Sequence, residues 1–214
     1  RNKAVLTQLA GAHPELDIRE PAEVVTHSDL VFVCVPPLPY LDVVRELTPQ
    51  FTSDKILVCI TNGVPAEAVG DLVEAPVVKV IPSMAHCIGR GVSIVTAGPR
   101  ASEKDVSMVE AFIRPFAMPY RMTETDMRIV CNLTGCGPAV LAHFMNILVS
   151  VSAEQAKDVS QADLYRLAGE TFFATAQLIE NGMTPQEIAD EAATGGGTTE
   201  MALQTLTKPL QSAV

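Results

Sequence analysis

The sequence has no run of lysine and arginine residues, and its acidic side chains outnumber the basic ones. Its 214 residues include 25 Asp and Glu against 15 Lys and Arg, a formal net charge of -10 at pH 7. This balance disfavours attraction to nucleic acid or to an anionic membrane, because both need an excess of positive charge. We therefore expect no nucleic acid or membrane partner, and an anionic ligand would need a local site.

Cysteine is scarce and is not spaced as in a disulfide-rich secreted protein. The five cysteines are Cys34, Cys59, Cys87, Cys131 and Cys136, most of them within apolar runs. Such usage fits a reducing cytoplasm. No cysteine or histidine accompanies Cys131 and Cys136 at zinc-site spacing, so no metal is expected. The sequence also shows no signal peptide and no apolar stretch of about 18 residues, so no membrane span is expected.

Short apolar runs alternate with helix-like segments in the first half of the chain. Strands are predicted at 30–35, 55–60, 77–81 and 91–96, and helices at about 39–49, 65–73 and 102–114. Strands without internal polar alternation are typical of sheets buried on both faces. The rhythm of strand, helix and strand predicts a parallel sheet covered by helices.

The strand signal disappears from about residue 123 onward. Helix formers fill the stretches 138–157, 162–181 and 185–193, with proline only at their starts. We therefore predict a sheet domain over 1–122 and a helical domain over 123–214. Residues 139–149 are apolar nearly all round the helix, which predicts that they build a subunit interface.

The residues that follow the strands are the informative ones, because ligands of parallel sheets bind beyond the carboxyl ends of the strands. They are Pro36-Pro37, Thr61-Asn62-Gly63 and Pro82-Ser83, and the helical half adds Gly135-Cys136-Gly137-Pro138-Ala139 and Gly195-Gly196-Gly197-Thr198-Thr199. In order and spacing, these motifs resemble the pyrroline-5-carboxylate reductase family over essentially the whole chain.

The resemblance implies an α/β fold class, with a Rossmann-type parallel sheet that is incomplete at its N-terminus and an all-helical dimerisation domain. It also implies a cytoplasmic homodimer or higher homo-oligomer that uses NADPH or NADH to reduce a small molecule, 1-pyrroline-5-carboxylate, to proline. Family members begin with a strand and a glycine-rich turn, and no such turn follows a strand here. We expect roughly 30–35 residues upstream of residue 1, with Arg1 and Asn2 near the adenosine ribose.

The resemblance also assigns two sets of site residues. The cofactor set is Pro36, Pro37, Thr61, Asn62, Gly63, Pro82 and Ser83, and the substrate set is Gly196, Gly197, Thr198, Thr199, Cys131 and Cys136. Glycines before a helix allow close backbone approach, and the helix N-terminus favours an anion such as the substrate carboxylate. The alternative is purely structural, with a helix C-cap followed by a threonine N-cap and with tight helix packing at Gly135–Ala139.

The chain departs from the family at several of these positions. Pro36-Pro37 replaces the usual lysine-proline, Ser83-Met84-Ala85 replaces asparagine-threonine-proline, and Cys131 and Cys136 replace a threonine and a serine. A thiol donates a weaker hydrogen bond than a hydroxyl. Two alternatives therefore stay open: an oxidoreductase for another imine or keto acid, and a reductase-like binding protein without turnover. The adjacent His86-Cys87 is not expected to form a catalytic pair.

Overall fold

Five strands form one sheet whose spatial order is the same as their order in the chain, β1-β2-β3-β4-β5. The structure, a computed structural model, describes residues 3–213, with side chains for residues 4–206. The strands are β1 Leu30–Val33, β2 Ile56–Cys59, β3 Val77–Ile81, β4 Val92–Ala97 and β5 Met118–Arg121. The helices are α1 Lys3–Ala12, α2 Pro21–Thr26, α3 Pro37–Leu47, α4 Ala66–Gly70, α5 Glu103–Ile113, α6 Glu124–Thr134, α7 Gly137–Gln155, α8 Gln161–Glu180, α9 Pro185–Ala192 and α10 Thr198–Ala213.

The first three strands are parallel and buried on both faces, as their apolar runs predict. On one face, Val31 and Leu57 pack with Tyr40 and Val44 of α3. On the other face, a second cluster joins Ile56, Val58, Val78 and Val80 to Val106, Val109 and Ile113 of α5. Two layers of helices therefore cover the sheet, which is the arrangement that parallel strands require.

The prediction of a parallel sheet is wrong for β4. This strand runs antiparallel to β3, with Ile94 opposite Ile81, and β5 then runs parallel to β4. The physical reason is the connection between β3 and β4, which contains only a short 3-10 turn, Met84–Ile88. A parallel connection needs a crossover of a dozen or more residues. The sheet is therefore mixed.

Strand β5 was not expected from the sequence. Its four residues are Met118, Pro119, Tyr120 and Arg121, and three of them are exposed. Proline and exposed side chains are characteristic of a sheet edge, where the alternation of a half-buried strand is lost. Crossover helix α5, which begins at a capping box formed by Ser102 and Asp105, leads into this edge.

The described chain divides into two compact units, one up to Val140 and one from Leu141 onward. Helix α6 belongs to the first unit because its buried Met127 and Cys131 pack on Ile81 and Ile94 of the sheet. The boundary predicted near residue 122 thus marks the end of the strands. The second unit contains most of α7 together with α8, α9 and α10.

The sequence led us to expect no stretch long and apolar enough to cross a membrane. This expectation is wrong, because one helical stretch among the described residues meets both criteria by length and composition. Over Glu124–Gln155, an 18-residue window reaches a mean hydropathy of 1.5, and only 6% of that window is buried. The reason is that no Asp, Glu, Lys or Arg occurs between Arg128 and Glu154. A single stretch of this kind is weak evidence for membrane insertion, since interface helices have the same composition.

Glycine 98 permits a close approach between the β4–α5 connection and β3, and this contact generates a stability prediction. A Cβ at Gly98 would lie 2.8 Å from the carbonyl oxygen of Val77 and 3.0 Å from Cβ of Ala66. We expect Gly98→Ala to lower the free energy of unfolding by about 1–3 kcal/mol through overpacking. Gly11→Ala is the control: a Cβ there meets nothing within 4 Å, so helix propensity should raise stability by roughly 0.5–1 kcal/mol. Urea titrations that rank the two variants in the opposite order would contradict the contact.

Candidate functional site

The carboxyl ends of β1, β2 and β3 lie at one edge of the sheet, because these strands are parallel and in register. The loops that follow them carry the predicted cofactor residues. Strand β4 runs in the opposite direction and begins at the same edge, as the pairing of Ile81 with Ile94 requires. The edge therefore gathers the loops at which ligands of open α/β sheets bind.

The loops after β1 and β2 touch each other. Pro36 is the N-cap of α3 and Pro37 its first residue. A Cβ at Gly63 would lie 3.4 Å from Cβ of Pro37, so the glycine lets the two loops approach. The backbone N–H of Gly63 donates to Oγ1 of buried Thr61 at 3.3 Å, while Asn62 stays exposed. Five predicted cofactor residues are thereby brought together, with Asn62 presented to solvent.

A buried ion pair lies next to this edge of the sheet and connects it to α6. Lys79, in the middle of β3, is 1% exposed, and its Nζ lies 2.5 Å from a carboxylate oxygen of Glu124 at the start of α6. The same ammonium group donates to the carbonyl oxygen of Val64 at 2.8 Å. The carboxylate also accepts from the backbone N–H of Ala66 at 3.4 Å. One charge pair thus joins β3, α6 and the β2–α4 loop.

A cleft opens beside this pair. It has a volume of about 340 Å³ and is lined by Asn62, Gly63, Glu124 and Arg128. Arg128 lies one turn after Glu124 on α6 and is exposed. No hydrogen bond or ion pair reaches its side chain from the residues whose side chains are described. The cleft therefore combines an amide, a glycine backbone and a cation without a partner.

The loop after β3 is held by its own side chains. Ser83 is buried, and its hydroxyl accepts a hydrogen bond from the backbone N–H of Ala85 at 3.4 Å. Nε2 of His86 lies 3.3 Å from the backbone nitrogen of Ser83, and its ring contacts Phe116 with centroids 5.9 Å apart. His86 is therefore occupied in supporting the loop. Pro82 remains exposed at the strand end.

The two cysteines of the predicted substrate set lie at the end of α6. Cys131 is buried, whereas Cys136 is exposed, and the backbone N–H of Cys136 donates to the carbonyl oxygen of Cys131 at 3.1 Å. Burial raises the pKa of the Cys131 thiol, and the neighbouring Cys136 thiol raises that pKa further. A Cβ at Gly135 would lie 3.9 Å from the carbonyl oxygen of Pro82. The end of α6 thus lies near the end of β3.

The glycine-threonine segment belongs to the second unit and is described by itself. Gly196 has a φ of +75°, and its backbone N–H donates to a carboxylate oxygen of Glu200 at 2.6 Å. Helix α10 begins at Thr198, and the side chains of Thr198 and Thr199 are exposed. Glu200 therefore already caps one backbone donor, whereas both threonine hydroxyls lack a partner among the described side chains.

Sequence reasoning did not single out Lys79, Glu124 and Arg128. A signal for the first was present, since Lys79 interrupts a strand that is otherwise entirely apolar, and a buried charge requires a partner. Nothing in the sequence identified Glu124 as that partner, because 45 residues separate the two. Arg1 and Asn2, expected near the adenosine ribose, lie outside the described residues.

A mixed α/β sheet whose loops gather at one edge, followed by a helical unit, defines a Rossmann-like nucleotide-binding fold with an added helical domain. Comparisons with known proteins agree with this class. Residues 1–63 match the family described as NADP oxidoreductase coenzyme F420-dependent. Residues 124–214 match the family described as pyrroline-5-carboxylate reductase dimerisation. The match over residues 124–214 confirms the resemblance to the pyrroline-5-carboxylate reductase family seen in the sequence.

Individual relatives are distant but extensive in coverage. The chain is 24% identical to ComE operon protein 4 of Bacillus subtilis, over 88% of this chain and 69% of that protein. It is 27% identical to a pyrroline-5-carboxylate reductase of Methanosarcina acetivorans, over 86% and 69%. A crystal structure of Plasmodium falciparum pyrroline carboxylate reductase with NADP bound superposes with a TM-score of 0.84 at 23% identity, covering 92% of this chain and 75% of that one. The structural match establishes the shared fold.

The buried ion pair makes a prediction about stability. Glu124→Gln should lower the free energy of unfolding by about 2–3 kcal/mol, because it leaves the buried Lys79 ammonium without its counter-charge. The side chain of Glu124 is 36% exposed, so the loss should be smaller than the roughly 3–5 kcal/mol expected for a fully buried pair. Lys79→Met combined with Glu124→Gln should restore most of the stability, since no charge is then buried. Equal urea midpoints for Glu124→Gln and the unmodified protein would contradict this role.

Proposed function

We propose that the protein is an NAD(P)H-dependent reductase of a cyclic imine, with 1-pyrroline-5-carboxylate as substrate and proline as product. The observation that carries the proposal is the gathering of the loops after β1, β2 and β3 at one sheet edge, in a chain of this reductase family. Reduction of a carbon–nitrogen double bond adds a hydride to carbon and a proton to nitrogen. A bound reduced nicotinamide supplies the hydride.

The loops of the first unit fit the nicotinamide half of such a cofactor. Gly63 keeps the space beside Pro37 free of a side chain, and exposed Asn62 presents an amide to the cleft. Buried Thr61 and Ser83 fix the loop backbones by hydrogen bonds at 3.3 and 3.4 Å. These residues bind and orient a planar ring, and such positioning provides much of the rate enhancement of a two-reactant step.

The substrate residues are proposed to act through hydrogen bonding. In the second unit, the hydroxyls of Thr198 and Thr199 are exposed at the start of α10, where the helix dipole favours a carboxylate. At the end of α6, Cys131 and Cys136 replace the hydroxyls usual in the family. The raised pKa of Cys131 keeps this thiol protonated at neutral pH, so that it retains a donor hydrogen.

Apolar side chains on α7 and α8 support assembly into a homodimer or higher homo-oligomer. Leu141, Ile147 and Val151 of α7 are between 47% and 55% exposed, and Phe173 of α8 is 57% exposed. Exposed apolar surface of this extent is characteristic of interfaces. The family match over residues 124–214 concerns dimerisation. We propose a cytoplasmic enzyme in which these faces meet a second copy, without nucleic acid or membrane partners.

The function is tested with the protein expressed from its complete reading frame. Cofactor oxidation is followed by absorbance with NADPH and with NADH, against 1-pyrroline-5-carboxylate, other cyclic imines and small keto acids. Formation of proline supports the proposal. Turnover of another substrate only would show instead a related oxidoreductase that acts on a different imine or keto acid. The substitutions at Pro36, Ser83 and Cys131 are the reason to test this alternative. If neither cofactor is oxidised with any substrate, the result would favour the alternative of a reductase-like binding protein without turnover.

The glycine-threonine segment makes a prediction that separates binding from helix capping. Thr199→Ala should lower kcat/KM roughly 10- to 150-fold through the loss of one hydrogen bond to a charged group, with cofactor affinity unchanged. Gly196→Val should abolish substrate binding, because valine is strained at a φ of +75°. Thr205→Ala, whose hydroxyl donates to the carbonyl oxygen of Met201 in the same helix, is the control and should keep full activity. Undiminished kcat/KM in Thr199→Ala with lowered thermal stability would favour capping alone.

Assembly makes a prediction about mass in solution. We expect light scattering to report a dimer or larger species at micromolar concentration, because the faces of α7 and α8 are too apolar to remain in water. Leu141→Glu should shift the distribution toward smaller species, whereas Glu154→Gln on the same helix should not. A stable, soluble monomer of the unmodified protein would contradict the proposal.

A further inference from the structure

The cleft beside β2 contains one positive charge that the proposed function does not use. Its lining residues are Asn62, Gly63, Glu124 and Arg128. The carboxylate of Glu124 is neutralised by the Lys79 ammonium at 2.5 Å, and it also accepts a backbone hydrogen bond from Ala66. The charge of Glu124 is therefore already balanced, and the guanidinium of Arg128 is the excess charge of the cleft.

Other arginines of the first unit show why this one is unusual. Arg19, Arg45 and Arg121 form ion pairs with Asp17, Asp42 and Glu103, and Arg100 donates to the carbonyl oxygens of Gly70 and Val73. Arg90 and Arg114 also have no ion pair with a described side chain, but they line a different cleft, away from the loop that carries Asn62 and Gly63. Arg128 thus stands out as a cation without a described partner in a cleft lined by a cofactor-loop amide, in a protein of net charge -10.

The geometry points to Arg128 as a specificity residue that binds an oxyanion of a ligand held in this cleft. A guanidinium offers a fork of N–H donors that matches a carboxylate or a phosphate. The ion pair of Lys79 and Glu124 acts as its positioning element, because it fixes the first turn of α6 from which Arg128 projects one turn later. The inference rests on the proposed function, which supplies two sources for the oxyanion: the carboxylate of the substrate, for which the hydroxyls of Thr198 and Thr199 are the other proposed donors, and a phosphate of the dinucleotide.

The test compares Arg128→Gln and Arg128→Lys with the unmodified protein, expressed from its complete reading frame. Arg45→Gln is the matched control: it removes the same charge from an exposed helix position where the guanidinium pairs with exposed Asp42. Calorimetry measures the Kd of NADPH and of L-proline, and steady-state assays measure KM for the imine acid and for its neutral carboxamide. Circular dichroism checks that each variant is folded.

If Arg128 binds the substrate carboxylate, Arg128→Gln should raise KM for the imine acid and Kd for proline about 10-fold, the low end for a hydrogen bond between charged groups. The carboxamide and NADPH should be unaffected. If Arg128 binds a dinucleotide phosphate, the Kd of NADPH should rise by a similar factor. The KM values of the imine acid and of its carboxamide should then change equally. Either result supports the inference, and Arg128→Lys should then retain part of the affinity because the charge remains.

Changes of less than 2-fold in every one of these constants, as expected for Arg45→Gln, would overturn the inference. Its failure differs from failure of the proposed function, which is judged on turnover by the unmodified protein. If that protein reduces no imine, the Kd values of NADPH and proline still test Arg128, because equilibrium binding needs no turnover. An Arg128→Gln variant that binds both molecules as tightly as the unmodified protein would refute the assignment in either case.

Discussion

The ion pair between Lys79 and Glu124 is the interaction on which the arrangement of the site depends. A lysine that is 1% exposed in the middle of a buried strand is tolerated because a carboxylate and a carbonyl oxygen, that of Val64, both accept from it. The pair holds the start of α6 against the middle of β3. Together with the packing of Met127 and Cys131 on the sheet, this contact sets the position of α6 and so of the cleft that its side chains line.

Sheet topology explains how distant parts of the sequence reach the same edge. Parallel pairing brings the ends of β1, β2 and β3 together, and the short connection after β3 forces β4 to turn back, which keeps its start beside them. Met118 at the start of β5 then donates its backbone N–H to the carbonyl oxygen of Gly91. The edge is thus assembled from local chain reversals and one long-range charge pair.

The sequence was sufficient to predict the four strands made of apolar runs, and it was insufficient for the exposed strand at the sheet edge. Runs such as Val77–Ile81 predict strands because every residue is buried. Met118–Arg121 gives no such signal, since it lies at an exposed edge, and the antiparallel turn of β4 depends on loop length. The family motifs predicted that the loops after β1, β2 and β3 form the site, and the sheet places those loops at one edge. The partner of Lys79, and the lack of a partner for Arg128 among the described side chains, emerged only from the fold, because each depends on residues far apart in the chain.

Cys131 and Cys136 stand near the end of α6 where the family resemblance leads one to expect hydroxyl side chains. This exchange affects how a proton could be transferred to the substrate. Burial raises the pKa of Cys131, and the adjacent Cys136 raises it further, so the thiol holds its proton firmly at neutral pH. A group that holds its proton in this way is a poor general acid, although it can still donate a weak hydrogen bond. An imine nitrogen can itself be protonated in water before reduction, so the reaction does not require an acidic side chain at this position. Under the proposed function, the thiols therefore suit a role in orienting the substrate better than a role in delivering the proton.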